Sequence, residues 1–251
     1  DGRFRIACEL VRNGHIGELK TVYSYQSGGG WGVGTDKGIV PGRREFGNIQ
    51  PVPDNLNWEL WLGPAPWYPY QGSLDTPLFG WGSINWGQQH YDIAQWGIGG
   101  DRTGPVEIHR ENDKPVYTYA NGVVLYGCEP PGQQWDQGGA HFIGTKGTIT
   151  VHRDKLLSTP AEIVREPLRP DDNRLYHSDS HGGNFLECIR TRQQTISDPE
   201  TAHRAISLLL LGGICERLKR PLKWDPVKEE FENDSEANQF LCVATREPWH
   251  F

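Results

Sequence analysis

Residues 106–151 read VEIHRENDKPVYTYANGVVLYGCEPPGQQWDQGGAHFIGTKGTITV, and this stretch sets the fold class. Segments 106–108, 116–119, 123–126, 141–143 and 148–151 are short and rich in β-branched and aromatic residues, the composition of strands. Asn121-Gly122 between two of them is a hairpin turn, since both residues tolerate a positive φ. The Thr145-Lys146-Gly147-Thr148 run makes a second turn. Consecutive strands joined by tight turns pair antiparallel. Residues 130–139 read as an exposed loop.

Upstream lies a stretch of different character, GWGSINWGQQHYDIAQWGIGG at 80–100. Glycines let the backbone approach something closely, and the aromatics give it flat walls. The segment becomes helical towards its end. At 3.6 residues per turn, Asn85, Gln89 and Asp92 share one face with His90 beside them, on the first turns, where free N–H groups point outward. The opposite face, with Tyr91, Ile93, Trp96 and Ile98, suits a core. The polar face is either solvated or lines a site.

Outward from there, 1–13 is predicted helical, with Phe4, Ala7, Cys8 and Val11 recurring at three and four and Asn13-Gly14 ending it. Residues 17–27 alternate as a strand. The GGGWGVG run at 28–34 lacks the G-x-G-x-x-G spacing and the following helix of a dinucleotide loop. Residues 57–70, NWELWLGPAPWYPY, read as a helical turn and a proline-broken aromatic segment, either a self-packed lid or one wall of a cleft. Residues 159–172 read as irregular. A helix is predicted over 185–192 with Phe185, Cys188 and Ile189 inward. The longest helix spans 199–218 behind an Asp198-Pro199 cap, and a last one spans 235–245 with Ser235 as its cap. With no repeat, low-complexity tract or flexible linker, 1–251 reads as a single α+β domain.

Composition narrows the function classes. The 251 residues carry a net charge of -7 with scattered Lys and Arg, which argues against a nucleic-acid partner. No apolar run is long enough to cross a membrane. Five isolated cysteines without C-x-x-C spacing suit buried thiols better than zinc. No metal site is expected; His90, Asp92 and His181 would form one only if the fold brought them together. Ten tryptophans suit the flat faces of sugars, and Trp31, Trp67, Tyr70 and Trp86 are the candidate substrate-binding aromatics. Methionine is absent, position 1 included, so a fragment or processed product is expected.

Several segments together resemble one family: FRIACELVRNGHIGELKTV (4–22), LNWELWLGPAPWYPY (56–70), WGQQHYDIAQWGIGGDRTGPVEI (86–108), NFLECIRTR (184–192), LKWDPVKEEF (222–231) and DSEANQFLCVATREPWHF (234–251). They are similar to the C-terminal part of the Gfo/Idh/MocA oxidoreductases, particularly a bacterial sugar-related branch. The resemblance implies a large open, mainly antiparallel sheet with helices covering one face, the other face making a dimer or tetramer interface. It also implies an N-terminal NAD(P)-binding domain with an E-K-P lysine, both outside this chain. NAD or NADP is thus expected in the full-length protein, with no cofactor-binding residue in this chain. A sugar or polyol is the expected partner. The compartment, cytoplasmic or periplasmic, stays open.

The family's substrate motif resembles D-x-G-x-H-x-x-D. Asn85, Gly87, Gln89 and Asp92 occupy it here, so Asn replaces the first Asp and Gln the His. His90 is one residue, a rotation of about 100°, away from the family His. Amides bind hydroxyls but do not titrate near neutrality, which puts ordinary dehydrogenase chemistry in question. Asn85, Gln89, His90, Asp92 and His181 are the candidate catalytic residues; for His181 a helix-capping role is an equal alternative. Three readings follow. One is a substrate and oligomerisation domain of a sugar or polyol oxidoreductase. A second is a non-catalytic carbohydrate-binding or assembly domain of the same fold. A third is a lyase or hydrolase that transiently oxidises a glycoside.

Overall fold

The structure, a computed structural model, describes residues 2–25, 48–72, 74, 83–133, 138–242 and 245–249; the side chains at 25 and 83–86 fall outside that description. The Gly28–Gly34 run, Trp31 included, therefore lies outside the described residues.

Among the described residues nine strands form one sheet: β1 (Leu19–Tyr25), β2 (Glu107–Glu111), β3 (Lys114–Thr118), β4 (Val124–Tyr126), β5 (Gly139–Gly144), β6 (Thr148–His152), β7 (Leu156–Thr159), β8 (Leu222–Asp225) and β9 (Glu230–Phe231), in the order β7-β6-β5-β1-β4-β3-β2-β8-β9. Every neighbouring pair is antiparallel except β1 with β4. The β2–β3 turn is Asn112-Asp113, with φ of 48° and 61°. Both central residues of such a two-residue turn need a positive φ, which Asn and Asp tolerate better than other side chains. The expected Asn121-Gly122 turn is present, with Gly122 at φ 82° and the Asn121 side chain accepting from the Val123 N–H.

Strand alternation separates the two faces. Ile108, Tyr117, Leu125, Val22, Phe142 and Ile149 are partners in register across six strands, and all are fully buried. Burying one such side chain stabilises by roughly 1.5–3 kcal/mol. This row faces α1 (Gly2–Arg12), α3 (Ser83–Ile98) and α6 (Pro199–Leu218). The other face carries a parallel row, Leu157, Thr150, His141, Tyr23, Tyr126, Val116 and His109, in which the Tyr23 and Tyr126 rings stack 5.0 Å apart. The result is the expected α+β fold, an open and mostly antiparallel sheet with helices on one face.

Some local expectations need correction. α3 begins at Ser83, so Gln89, His90 and Asp92 lie inside the helix rather than on its first turns. α5 (His181–Thr191) buries only Cys188; Phe185 and Ile189 are exposed, because no described element packs over that side of the helix. The final helix, α7 (Ser235–Asn238), is one turn long and is capped by Asp234, whose side chain accepts from the Ala237 N–H. The 159–172 segment starts at the edge strand β7 and holds a short helix, α4 (Glu162–Arg165). As expected, α6 starts on an Asp198 cap followed by Pro199.

The 57–70 segment forms a small cluster of its own. α2 (Trp58–Leu62) is capped by Asn57, and Trp58, Leu62 and Tyr68 are buried together. Trp58 donates from Nε1 to the Tyr68 carbonyl at 2.7 Å, and its ring meets Tyr70 edge-on. Arg246 closes the cluster by donating to the carbonyls of Ala65 and Glu59.

Candidate functional site

α3 is the helix on which the site is built, and it presents three stripes. His90, Ala94 and Gly97 face the sheet. Gly97 lies so close to β5 that a Cβ there would sit 2.3 Å from the Phe142 ring, and the His90 ring lies where a Cβ on Gly138 would come within 2.1 Å of it. Tyr91 and Gln95 form a second stripe, towards β3 and α6. The Tyr91 ring meets Tyr117 edge-on, and Gln95 accepts a hydrogen bond from the Tyr119 hydroxyl and donates to the carbonyls of Gly100 and Thr103. Gln89, Asp92 and Trp96, with Ile93 beside them, form the third stripe and line a cavity of about 680 Å³. That volume lies within the range of small-molecule sites.

The inner wall of the cavity comes from α3, from Phe4 and Arg5 at the start of α1, and from Asp198 and Thr201 at the start of α6. The outer wall is made of two segments flanking α5, residues 176–179 and 194–197. Arg102, in the loop after α3, spans the corner. Its two terminal nitrogens donate to the two oxygens of Asp198 at 2.7 and 2.9 Å, while Asp198 also caps α6 and accepts from Thr201 Oγ1. The Arg102 hydrogen bonds hold the Asp198 carboxyl well below the ordinary carboxylate range.

Asp92 is set the other way. Burial, and then the like charges of Asp101 and Asp198, push its carboxyl up to about 6. Asp101 is also raised by burial, against the opposing pull of Arg12, which donates to it at 3.0 Å. The cavity thus holds one carboxyl fixed as an anion beside another that titrates near neutrality. Amide and hydroxyl groups surround both, with Trp96 as an aromatic wall.

The sequence candidates separate accordingly. Gln89 and Asp92 meet in the cavity. His90 is 2 % exposed, turned towards the sheet and not part of the lining. The reason is helical phase: position 90 lies seven residues, two turns, before Gly97, so both point the same way. Trp96 stands seven residues after Gln89 and shares the cavity face, which corrects its expected place opposite the polar stripe. The same count, applied to the sequence, would have found it. His181 is exposed at the start of α5 and does not line the cavity. Trp67 is exposed and Tyr70 packs on Trp58 in the α2 cluster, and neither lines the cavity. The side chains of Asn85 and Trp86, and all of Trp31, lie outside the described residues. Asp101, Arg102 and Tyr176 are cavity residues that no local motif marks, and the sequence marks Asp198 only as a helix cap, since the cavity gathers separate parts of the chain. No group of three His, Cys, Asp or Glu residues suited to a metal occurs among the described residues.

Comparison with known proteins bears on the whole chain. No curated protein matches it. Among solved structures, it is similar to an NAD-binding protein from Listeria innocua, with 13% identity and a TM-score of 0.50 over 88% of this chain and 59% of that one. It is similar to the WlbA dehydrogenase from Bordetella pertussis in complex with NADH and UDP-GlcNAcA, with 13% identity and a TM-score of 0.50 over 90% of this chain and 61% of that one. An aldose-aldose oxidoreductase from Caulobacter crescentus complexed with glycerol is 15% identical, with a TM-score of 0.49 over 88% of this chain and 62% of that one. The chain thus spans about three fifths of the length of these structures. The model of the C-terminal alpha/beta domain of an oxidoreductase family (Gfo/Idh/MocA) matches residues 8–251, and the chain belongs to that family.

Proposed function

We propose that this chain is the substrate-binding and oligomerisation domain of an NAD(P)-dependent oxidoreductase acting on a sugar or polyol, and that its ligand sits in the cavity along α3. The observation that carries this reading is the grouping of Gln89, Asp92 and Trp96 on one cavity-lining face. An amide offers both a donor and an acceptor to vicinal hydroxyls, and an indole ring offers a flat wall to the C–H face of a sugar. Asp92 accepts a hydrogen bond from a ligand hydroxyl and, above its pKa of about 6, can take the hydroxyl proton. The WlbA structure, with its bound NADH and UDP-GlcNAcA, makes a nicotinamide cofactor and a sugar-derived substrate reasonable for a protein of this fold.

The cofactor itself belongs to this proposal only through the full-length protein. A dinucleotide cradle needs a parallel strand leading through a glycine turn into a helix. The part assigned to the described residues is to bind and orient the hydroxylated ligand. Self-association through the sheet face opposite the described helices belongs to the same reading.

Calorimetric titration of a sugar and polyol panel, beside melting curves, tests the site. Gln89→Ala removes hydrogen bonds worth roughly 0.5–1.5 kcal/mol each and costs at most about 1 kcal/mol of stability, because Gln89 is exposed. A variant that unfolds several kcal/mol more easily with unchanged ligand binding would overturn the reading. In the full-length protein, Asn85→Asp with Gln89→His restores titrating groups and should raise turnover. Unchanged turnover would favour the binding-only reading, which the amide at position 89 already suggests.

A further inference from the structure

We propose that Tyr176 is a ligand-contacting wall of this cavity and that Asn184 is the residue that positions it. The inference rests on the cavity being the ligand site. Tyr176 belongs to the segment between α4 and α5, which has no regular secondary structure, and 47 % of its surface is exposed. A half-exposed tyrosine on such a segment ordinarily keeps its rotamer freedom. Here it is pinned from both sides. The preceding N–H, that of Leu175, donates to Oε1 of the fully buried Glu9 on α1 at 2.8 Å. Just upstream, Asn13 and Asn173 exchange two hydrogen bonds of 2.9 Å, and His15 Nε2 meets Asp172 Oδ2 at 2.6 Å.

The ring is fixed at its far end by α5. Asn184 Nδ2 donates to the Tyr176 hydroxyl oxygen at 2.6 Å, and Asn184 Oδ1 accepts from the Ile196 N–H at 3.0 Å. One carboxamide therefore couples the two segments that make the outer wall, since Tyr176 and Ile196 both line the cavity. Cys188 adds a second tie by donating to the Gln194 carbonyl at 3.4 Å. Asn184 and Cys188 do not line the cavity; they stand behind the residues that do. A ring fixed before the ligand arrives loses less entropy on binding, which is the advantage of a preorganised wall. Tyr176 and Trp96 are then two aromatic residues lining one site. The Tyr176 hydroxyl accepts from Asn184 and also lies 3.7 Å from Cys188 Sγ, so both groups hold it from the α5 side.

The test is calorimetric titration of the full-length protein with myo-inositol, glucose and maltose, on the parent protein and on Tyr176→Ala, Tyr176→Phe, Asn184→Ala and the Tyr176→Phe/Asn184→Ala pair. Tyr176→Ala should weaken binding by at least about tenfold through loss of the ring. Tyr176→Phe and Asn184→Ala should each weaken it about three- to tenfold, and the double variant no more than Asn184→Ala alone, because the bond that Tyr176→Phe breaks is already lost there. A merely structural bond would lower the melting temperature and leave affinity alone. Unchanged affinity in Tyr176→Ala, or fully additive losses in the double variant, while Gln89→Ala still weakens binding, would overturn the inference and leave the site standing. Absence of binding by all three probes, or no effect from either Gln89→Ala or Tyr176→Ala, would overturn both.

Discussion

Arg102 and Asp198 meet in a two-point ion pair, with N–O distances of 2.7 and 2.9 Å, that ties the loop after α3 to the first turn of α6. The same carboxylate caps α6 through the N–H groups of Glu200 and Thr201. Asp198→Ala removes a helix cap and should cost about 0.5–2 kcal/mol in denaturant unfolding. The folded-state pKa of Asp198 is depressed, so its stabilisation is complete above the unfolded value of about 4 and fades as pH falls further. Asp198→Asn should therefore lose less stability than the parent protein between about pH 4 and pH 2. Equal acid sensitivity of the two proteins would contradict this.

Asp92 should behave in the opposite sense. Its carboxyl is raised from 3.8 to about 6, so the folded state holds a proton that the unfolded chain has released. Stability contributed by this group falls as pH rises from about 4 to about 6 and is level above. At pH 7 the penalty is up to about 3 kcal/mol, since a tenfold change in proton affinity corresponds to roughly 1.4 kcal/mol. Asp92→Asn should therefore raise the melting temperature at pH 7, leave it unchanged near pH 4, and weaken ligand binding by removing a charge-assisted hydrogen bond. A variant that melts lower at pH 7 would show that the ionised carboxylate is satisfied in the fold.

The close seating of α3 on β5 gives a prediction about packing. A Cβ at position 97 would meet the Phe142 ring at 2.3 Å, and one at 138 the His90 ring at 2.1 Å. Gly97→Ala and Gly138→Ala should each destabilise by about 1–3 kcal/mol through overpacking, in contrast to the usual gain from Gly to Ala within a helix. Chemical denaturation measures both. A stabilised Gly97→Ala would mean that α3 stands further from the sheet.

The sheet face opposite the described helices should mediate self-association. Light scattering at micromolar concentration is expected to return a dimer or larger, and Tyr23→Glu, which places a charge within the Tyr23–Tyr126 stack, should yield monomers. A monomeric parent protein would remove this proposal.

Much of the fold was legible in the chain because strand and helix periods are local. The 106–151 strands, the Asn121-Gly122 turn and the Asp198-Pro199 helix start follow from side-chain alternation and from which residues tolerate a turn or a cap. Strands β7, β8 and β9 carry shorter patterns, and β8 pairs with β2, more than a hundred residues upstream. At the site, the sequence determined that Gln89 and Asp92 share a face, since three residues is nearly one helical turn. It did not determine what each side of α3 meets, because this helix carries polar groups on more than one side: Gln95 and His90 are as buried as Tyr91. Only the tertiary structure turned His90 towards the sheet and opened the Gln89–Asp92–Trp96 side onto a cavity. It did so because Gly97 and Gly138 allow close approach at one angle of the helix. The far wall, from Tyr176 to Ser197, is set by hydrogen bonds to α1 and across α5, between residues that no sequence period connects.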